Sequence, residues 1–135
     1  MGEVLEIEEG LALDLQFEKR GGLLPVAVQE QSSGQVLMLA SINKEAFELT
    51  LKTGKATFWS TSRNALWTKG ETSGDYLEIK KILVDCDQDA VVYQVELVGN
   101  GVCHTFGTDG KHRKACFYRS VEEGTEQLQF EKGME

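Results

Sequence analysis

The pattern of apolar and polar residues in the first half of the chain is that of a β-hairpin. Residues 26–29 form a short, mostly apolar stretch after Pro25, and the residue before a proline is normally extended. Residues 35–40 form a longer apolar run of the kind found in buried strands. The Ser-Ser-Gly segment at 32–34 has typical turn residues, so we predict that the two strands form a hairpin.

A helix is predicted over residues 44–53. Asn43 is a favourable N-cap, Glu45 complements the positive end of the helix dipole, and Gly54 is favourable just after the last turn. The residues that share one face at helical spacing are Ala46, Phe47, Thr50 and Leu51. We expect this face to pack against the sheet.

The two clearest strand patterns lie in the second half of the chain, over residues 77–84 and 90–98. Shorter strands are predicted over residues 56–59 and 115–118. One helix or a few packed against a mainly antiparallel β-sheet is an α+β fold, and this is the fold class that we predict.

Length and charge narrow the class of protein. The 135 residues suit a single domain, which we place over 1–135, with acidic ends at 1–13 and 122–135 that can fray. Fourteen Lys and Arg residues against 22 Asp and Glu residues give a net charge of -8, which argues against a broad nucleic-acid-binding surface. No apolar run approaches the roughly 20 residues of a membrane-spanning helix, and no secretory signal is recognisable, so we expect a cytoplasmic protein. In that compartment, three cysteines are expected to be thiols or metal ligands rather than disulfides.

Asp85, Asp87 and Asp89 form a short acidic segment between the two clearest strands. In an extended backbone, alternate side chains project to one side, which would place the three carboxylates together and Cys86 opposite. Carboxylate oxygens are suitable ligands for Mg²⁺. An EF-hand is disfavoured, because Ala90 stands where that loop requires glycine and the flanking patterns are strands. A solvated acidic turn without a metal is the alternative interpretation.

The cysteines Cys86, Cys103 and Cys116 are the second candidate group. Three thiolates would bind Zn²⁺ and leave the fourth tetrahedral position open for water, which is typical of a catalytic site. Their spacing fits no zinc-finger pattern, and three small buried apolar residues are the alternative interpretation. His104 adjoins the second cysteine, whereas His112 lies in a basic loop where we expect it to be exposed.

A polar loop predicted over residues 61–76 provides the third candidate group. Its hydroxyl groups, glycines and two cations could form a cradle for the phosphate of an anionic substrate. The residues that would bind the substrate are Ser60, Ser62, Arg63, Lys69, Thr72 and Ser73. An ordinary polar loop is the alternative interpretation, and Trp59 and Trp67 are expected in the core.

Taken in order, these segments resemble the phosphoribosyl-AMP cyclohydrolase family, from about Asp14 to Arg119. The segments are Gly-Leu-Leu-Pro (22–25), Val-Leu-Met (36–38), Asn-Lys-Glu-Ala (43–46), Trp-Ser-Thr-Ser-Arg (59–63), Trp-Thr-Lys-Gly-Glu-Thr-Ser-Gly (67–74), Asp-Cys-Asp-Gln-Asp (85–89), Val-Cys-His-Thr (102–105) and Cys-Phe-Tyr-Arg (116–119). No single segment is specific, but their combination in this order is.

The resemblance implies an enzyme of histidine biosynthesis that hydrolyses the N1–C6 bond of the adenine ring in N1-(5-phosphoribosyl)-AMP. It implies dependence on Zn²⁺, use of Mg²⁺, and an intertwined homodimer with metal sites at the interface. The zinc ligands would be Cys86, Cys103 and Cys116, and water activated by the zinc would attack C6. The magnesium ligands would be Asp85, Asp87 and Asp89. His104 would be the catalytic acid–base residue that delivers a proton to N1, since histidine can titrate near neutral pH.

The chain also departs from the family pattern. Twelve residues (104–115) separate Cys103 from Cys116, more than is usual, and the extra residues lie around 106–112. Thr61 replaces an arginine that the family pattern would place there, so one phosphate contact could be lost. The basic residues near the insertion that could replace this contact are Lys111, Arg113 and Lys114.

Two other functions stay open at this point. A dimeric binding module whose chains are held together by zinc could have the same fold without catalytic activity. A nucleotide deaminase would attack a related ring and release ammonia, whereas ring opening releases none. The expected substrate of the enzyme is a small phosphorylated nucleotide, and we expect neither nucleic acid nor a membrane as a partner.

Overall fold

The computed structural model describes residues 2–135, with side chains from residue 6 onward. The helices are α1 (Gly2–Glu9) and α2 (Lys44–Thr53), and a 3₁₀ helix covers Phe17–Arg20. The strands are β1 (Leu24–Glu30), β2 (Val36–Ile42), β3 (Thr57–Ser60), β4 (Ala65–Thr68), β5 (Leu77–Val84), β6 (Val91–Leu97), β7 (Arg119–Val121) and β8 (Leu128–Phe130). The predicted α+β fold is confirmed. Within the described residues, no helix has both the length and the apolar composition needed to cross a membrane.

A six-stranded sheet in the order β4-β3-β2-β1-β6-β5 forms the body of the molecule. Adjacent strands are antiparallel, as predicted, except that β1 and β6 run parallel, with Ala27 opposite Val92. This parallel pair joins the antiparallel set β1–β4 to the hairpin β5–β6. The sheet is therefore mixed.

The predicted hairpin and helix are both present. Strands β1 and β2 pair antiparallel, and α2 has the predicted bounds because local caps determine both ends. Asn43 Oδ1 accepts a hydrogen bond from the backbone nitrogen of Ala46 at 2.8 Å. Gly54 has a φ of 72°, a left-handed conformation that glycine adopts without strain. On the predicted face Leu51 is exposed, while the other three residues are buried.

Aromatic packing in the core explains a strand that the sequence analysis missed. Phe58 is fully buried, with its ring centroid 5.0 Å from that of Trp67 and 6.1 Å from that of Tyr93. Trp67 belongs to β4, which pairs with β3. The prediction of a continuous polar loop over residues 61–76 is therefore wrong for the β4 residues.

Residues 115–118 do not form the predicted strand. The backbone nitrogen of Cys116 donates to the Leu37 carbonyl at 2.7 Å, but one such bond does not make a strand, and β7 begins only at Arg119. Strands β7 and β8 form a separate hairpin near the C-terminus. The Arg113 guanidinium lies over the Tyr118 ring at 4.3 Å and connects this hairpin to the preceding loop.

Candidate functional site

The acidic segment at residues 85–89, here called the Asp turn, is a tight turn between β5 and β6 rather than the predicted extended backbone. Asp85 Oδ1 accepts hydrogen bonds from the backbone nitrogens of Asp89 at 2.9 Å and Ala90 at 3.2 Å. The turn still brings the three predicted carboxylates together, since the oxygens of Asp85, Asp87 and Asp89 lie within 4.8 Å of one another. Asp89 is buried, whereas Asp85 is exposed.

Two cations that the sequence analysis missed balance the charge of the Asp turn. Lys19 Nζ lies 2.9 Å from Asp87 Oδ2 and 2.8 Å from Asp89 Oδ2. Arg20 Nη2 lies 3.2 Å from the same Asp89 oxygen. Hydrogen bonding from Lys19 holds the pKa of Asp89 well below its usual range. Partial desolvation raises the pKa of Asp85, which has no such cation among the side chains from residue 6 onward.

Hydrogen bonds of Gln88 hold the segment that carries these two cations against the turn. Its buried side-chain amide accepts a hydrogen bond from Asp14 N at 2.7 Å and donates to the carbonyls of Ile7 at 3.1 Å and Ala12 at 3.3 Å. Its backbone carbonyl accepts from Gln16 N at 2.8 Å. The segment that leads into the 3₁₀ helix is therefore attached to the Asp turn. No sequence spacing marks these contacts, because the Asp14–Gln88 contact joins residues 74 positions apart.

Cys103 and Cys116, here called the cysteine pair, lie next to each other. Cys103 is buried, whereas Cys116 is exposed although its sulfur is partly desolvated. This desolvation, together with the nearby Cys103 thiol, raises the pKa of the Cys116 thiol to about 11. The charge of Lys69 acts in the opposite direction, which places this residue of the predicted phosphate loop near the pair.

The third predicted zinc ligand, Cys86, is exposed in the Asp turn. Among the residues whose side chains are described, the three Asp-turn carboxylates are the single group of three potential metal ligands from His, Cys, Asp and Glu. One chain therefore brings together two of the three predicted zinc ligands and all three predicted magnesium ligands.

The turn that contains Cys103 and His104 is held by several hydrogen bonds. Thr105 Oγ1 lies 2.9 Å from Cys103 Sγ, and Thr105 N donates to the same sulfur at 3.5 Å. Backbone bonds connect Cys103 N to Arg113 O at 3.1 Å and Arg113 N to Thr105 O at 2.9 Å. His104, the predicted acid–base residue, is exposed beside the cysteine pair.

The predicted phosphate-binding residues form two groups at opposite ends of β4. In the first group, Ser60 Oγ accepts from Arg63 N at 3.2 Å and lies 3.3 Å from Ser62 Oγ. The second group follows β4 and consists of Lys69, Thr72 and Ser73. Because a strand advances about 3.3 Å per residue, the four residues of β4 separate the groups by on the order of 13 Å. The sequence analysis expected one cradle, whereas the structure has two polar groups.

The insertion at residues 106–112 is a small hairpin. Phe106 and His112 form a β-bridge, and their ring centroids lie 4.3 Å apart. The expectation that His112 is exposed is wrong, since the stacked ring is partly buried and Nδ1 is inaccessible. Thr108 N donates to the Glu135 carbonyl at 2.8 Å, so the insertion is attached to the C-terminus.

Two of the three basic residues considered as replacement phosphate ligands have partners within the chain. Lys114 Nζ lies 2.6 Å from Glu30 Oε1. Arg113 Nε donates to the Met134 carbonyl at 2.8 Å. These contacts fix the loop that leads to Cys116, and Lys111 stays exposed.

Comparison with known proteins identifies the family. A family model described as phosphoribosyl-AMP cyclohydrolase matches residues 38–118, more than half of the chain. A phosphoribosyl-AMP cyclohydrolase of Desulfatibacillum aliphaticivorans is 52% identical over 110 residues, which cover 82% of this chain and 83% of that protein. Proteins of the same name from Desulfotalea psychrophila (53% identity over 83% of this chain and 84% of that one) and Cenarchaeum symbiosum (50% over 80% and 94%) are also similar. The match includes both the Asp turn and the cysteine pair, and the chain belongs to the phosphoribosyl-AMP cyclohydrolase family, whose members are hydrolases of cyclic amidines.

Proposed function

We propose that this protein opens the adenine ring of N1-(5-phosphoribosyl)-AMP by hydrolysis of the N1–C6 bond, as a step of histidine biosynthesis. The observation that carries the proposal is the cysteine pair, with exposed His104 beside it and Lys69 nearby. Two sulfurs that would bind a metal, a histidine that would transfer a proton and a cation are thus close to one another. These are the groups that hydrolysis of a phosphorylated, cyclic amidine requires.

The cysteine pair fits half of a tetrahedral zinc site, and catalytic zinc sites normally have three protein ligands. We propose that Cys103 and Cys116 of one chain bind zinc together with Cys86 of a second copy. Cys86 is exposed and therefore accessible to another chain. When bound, zinc supplies the Lewis acidity that activates water at neutral pH.

An apolar row on the sheet supports the homodimer that this arrangement needs. Leu83 lies opposite Val92, Val92 opposite Ala27, and Ala27 opposite Leu39, so the row crosses four adjacent strands. Leu39 is 64% and Leu83 is 40% exposed. An exposed apolar patch of this kind commonly marks a protein–protein interface.

The apolar row also leads to the Asp turn. A depression of about 280 Å³ on this face is lined by residues of the row and by Asp85, which directly precedes Cys86. A second copy that covers the row would therefore approach Cys86. We propose a two-fold interface here, because a two-fold interface repeats the same contact twice and gives two equivalent zinc sites.

Side chains of the protein would carry out the proton transfer and the phosphate binding that the reaction also requires. His104 is exposed next to the cysteine pair, where it can deliver a proton to N1 as the C6–N1 bond breaks. The two polar groups at the ends of β4 contain one cation each, Arg63 and Lys69. A substrate with two separate phosphates suits two separate cationic groups better than one cradle.

The Asp turn fits a hard divalent cation, because its three carboxylates are within 4.8 Å of one another. Asp85, Asp87 and Asp89 would hold Mg²⁺, which would add positive charge for a polyanionic substrate. The ion pairs of Lys19 with Asp87 and Asp89 show that a cation already occupies part of this donor set. Magnesium would therefore have to compete with Lys19.

The test is an ultraviolet assay of purine opening with N1-(5-phosphoribosyl)-AMP, together with a metal count on the purified protein. We expect ring opening without ammonia release, zinc bound at one ion per chain, and loss of turnover after mild chelation. Ammonia release would indicate the deaminase instead. Zinc binding with no change in the substrate spectrum would indicate the non-catalytic binding module.

A further inference from the structure

We infer that Thr105 is a positioning residue that orients the Cys103 sulfur for metal binding, an inference that rests on the zinc site proposed above. Thr105 contacts this sulfur through two groups, its hydroxyl at 2.9 Å and its backbone N–H at 3.5 Å. Cys103 is 3% exposed, so water has little access to the sulfur. Both contacts therefore act in a partly dry environment, where hydrogen bonds to a charged group are strong.

The direction of the hydroxyl contact follows from the charge of a metal ligand. A cysteine that binds zinc is a thiolate, which has no proton to donate. The Thr105 hydroxyl must then donate to sulfur, in the same sense as the backbone N–H. Two donors on one thiolate occupy two of its three lone pairs, which fixes the direction of the remaining lone pair that the metal would use.

Backbone hydrogen bonds hold Thr105 in a fixed position relative to Cys103. Its carbonyl accepts a hydrogen bond from Arg113 N at 2.9 Å, and Cys103 N donates to Arg113 O at 3.1 Å. Arg113 is itself held by its contact with the Met134 carbonyl at 2.8 Å. The hydroxyl is therefore presented from a fixed turn, and the sulfur cannot keep the same contact if the hydroxyl is removed.

The experiment is a titration of the metal-free, full-length protein with Co²⁺, whose thiolate charge-transfer bands report the sulfur ligands, followed by competition with Zn²⁺. Thr105→Val keeps the branched shape and the backbone donor but removes the hydroxyl. Loss of an outer partner of a metal ligand typically weakens binding roughly 10–100-fold, so we expect at least about tenfold weaker metal binding and a shifted charge-transfer band. Thr105→Ser should restore both. Thr108→Val, an exposed threonine in the insertion, is the matched control and should change neither.

Unchanged affinity and spectrum in Thr105→Val would overturn the inference. If Thr105→Val is unstable, as judged by thermal unfolding of the metal-free protein, Thr105→Ala makes the same comparison. Cys103→Ser separates the role of Thr105 from the assignment of Cys103 as a zinc ligand. Loss of the thiolate bands in Cys103→Ser with a normal Thr105→Val would refute the role of Thr105 alone. Retention of the bands in Cys103→Ser would refute the zinc-ligand assignment, and the role of Thr105 with it.

Discussion

The Asp turn and the cysteine pair are both candidate metal-binding groups, but a single chain brings together all of the predicted ligands only at the Asp turn. The carboxylates of the Asp turn are two residues apart in sequence, and one turn gathers them. The three cysteines are much further apart in sequence, and the fold of one chain brings only Cys103 and Cys116 close together. A donor set built from neighbouring residues forms whenever the local backbone forms. A donor set built from distant residues depends on tertiary contacts and, as we propose, on a second chain.

The two groups also differ in how their charge is balanced. The buried Asp89 carboxylate is ionised and is paired with Lys19 and Arg20. The Cys116 thiol, with its pKa raised to about 11, is neutral near pH 7 and needs no counter-ion. Metal binding should therefore displace a cation at the Asp turn but release protons at the cysteine pair.

The largest effect is expected from Cys103→Ser, which removes a sulfur of the cysteine pair. We expect zinc to be lost and ring-opening activity to fall by more than the roughly 100-fold that loss of an outer-shell partner can cost. Mg²⁺ binding at the Asp turn should persist. Metal analysis by mass spectrometry and the ultraviolet assay check this, and full activity in the variant would refute the ligand assignment.

A second effect is expected from a charge in the apolar row. Leu39→Glu should prevent the proposed dimer from forming and remove most of the zinc, while Mg²⁺ binding is retained, because only the proposed zinc site uses a second copy. Light scattering and metal analysis check both parts. Leu51→Glu changes a similarly exposed leucine on α2 and is the control. A monomeric Leu39→Glu variant that keeps its zinc would show that one chain completes both sites.

A smaller effect is expected from Lys19→Met. The change removes a cation that lies within 2.9 Å of two Asp-turn carboxylates. We expect Mg²⁺ to bind several-fold more tightly, with zinc binding unchanged. Isothermal titration with Mg²⁺ measures this, and Lys52→Met, on the exposed last turn of α2, is the control. Equal or weaker Mg²⁺ binding in Lys19→Met would mean that Lys19 does not compete for the site.

The smallest effect concerns the Glu30–Lys114 ion pair, which supports the loop before Cys116. Hydrogen bonding from Lys114 lowers the pKa of Glu30, so this pair stabilises the fold above the ordinary glutamate pKa of about 4.3. The contribution of this ion pair to stability is lost as the pH falls through the lowered pKa that Glu30 has in the folded protein. Because Lys114 is 39% exposed, solvent screens the pair, and Lys114→Met should cost only about 1 kcal/mol at pH 7.

Urea unfolding of the parent protein and Lys114→Met at a series of pH values measures this effect. The difference in unfolding free energy should shrink in acid and vanish once Glu30 is protonated in both states. A difference that is independent of pH would mean that Lys114 acts through packing rather than through charge.

Local rules were enough to predict α2 and the close approach of the three Asp-turn carboxylates. Asn43 and Gly54 are caps that act within one turn, so the sequence determines where the helix begins and ends. Strand β4 could not be predicted in this way, because its stability depends on the packing of Trp67 on Phe58. The position of Lys19 beside the Asp turn depends on contacts across the whole chain.

The parallel pairing of β1 with β6 has a consequence for how the chain folds. The hairpins β1–β2 and β5–β6 each close through short connections and can form early. Joining them requires residues such as Ala27 and Val92 to meet after a long stretch of chain has been brought together, with a correspondingly large entropic cost. We therefore expect docking of the two hairpins to limit the rate of folding. The slow step would then be the one that completes the apolar row.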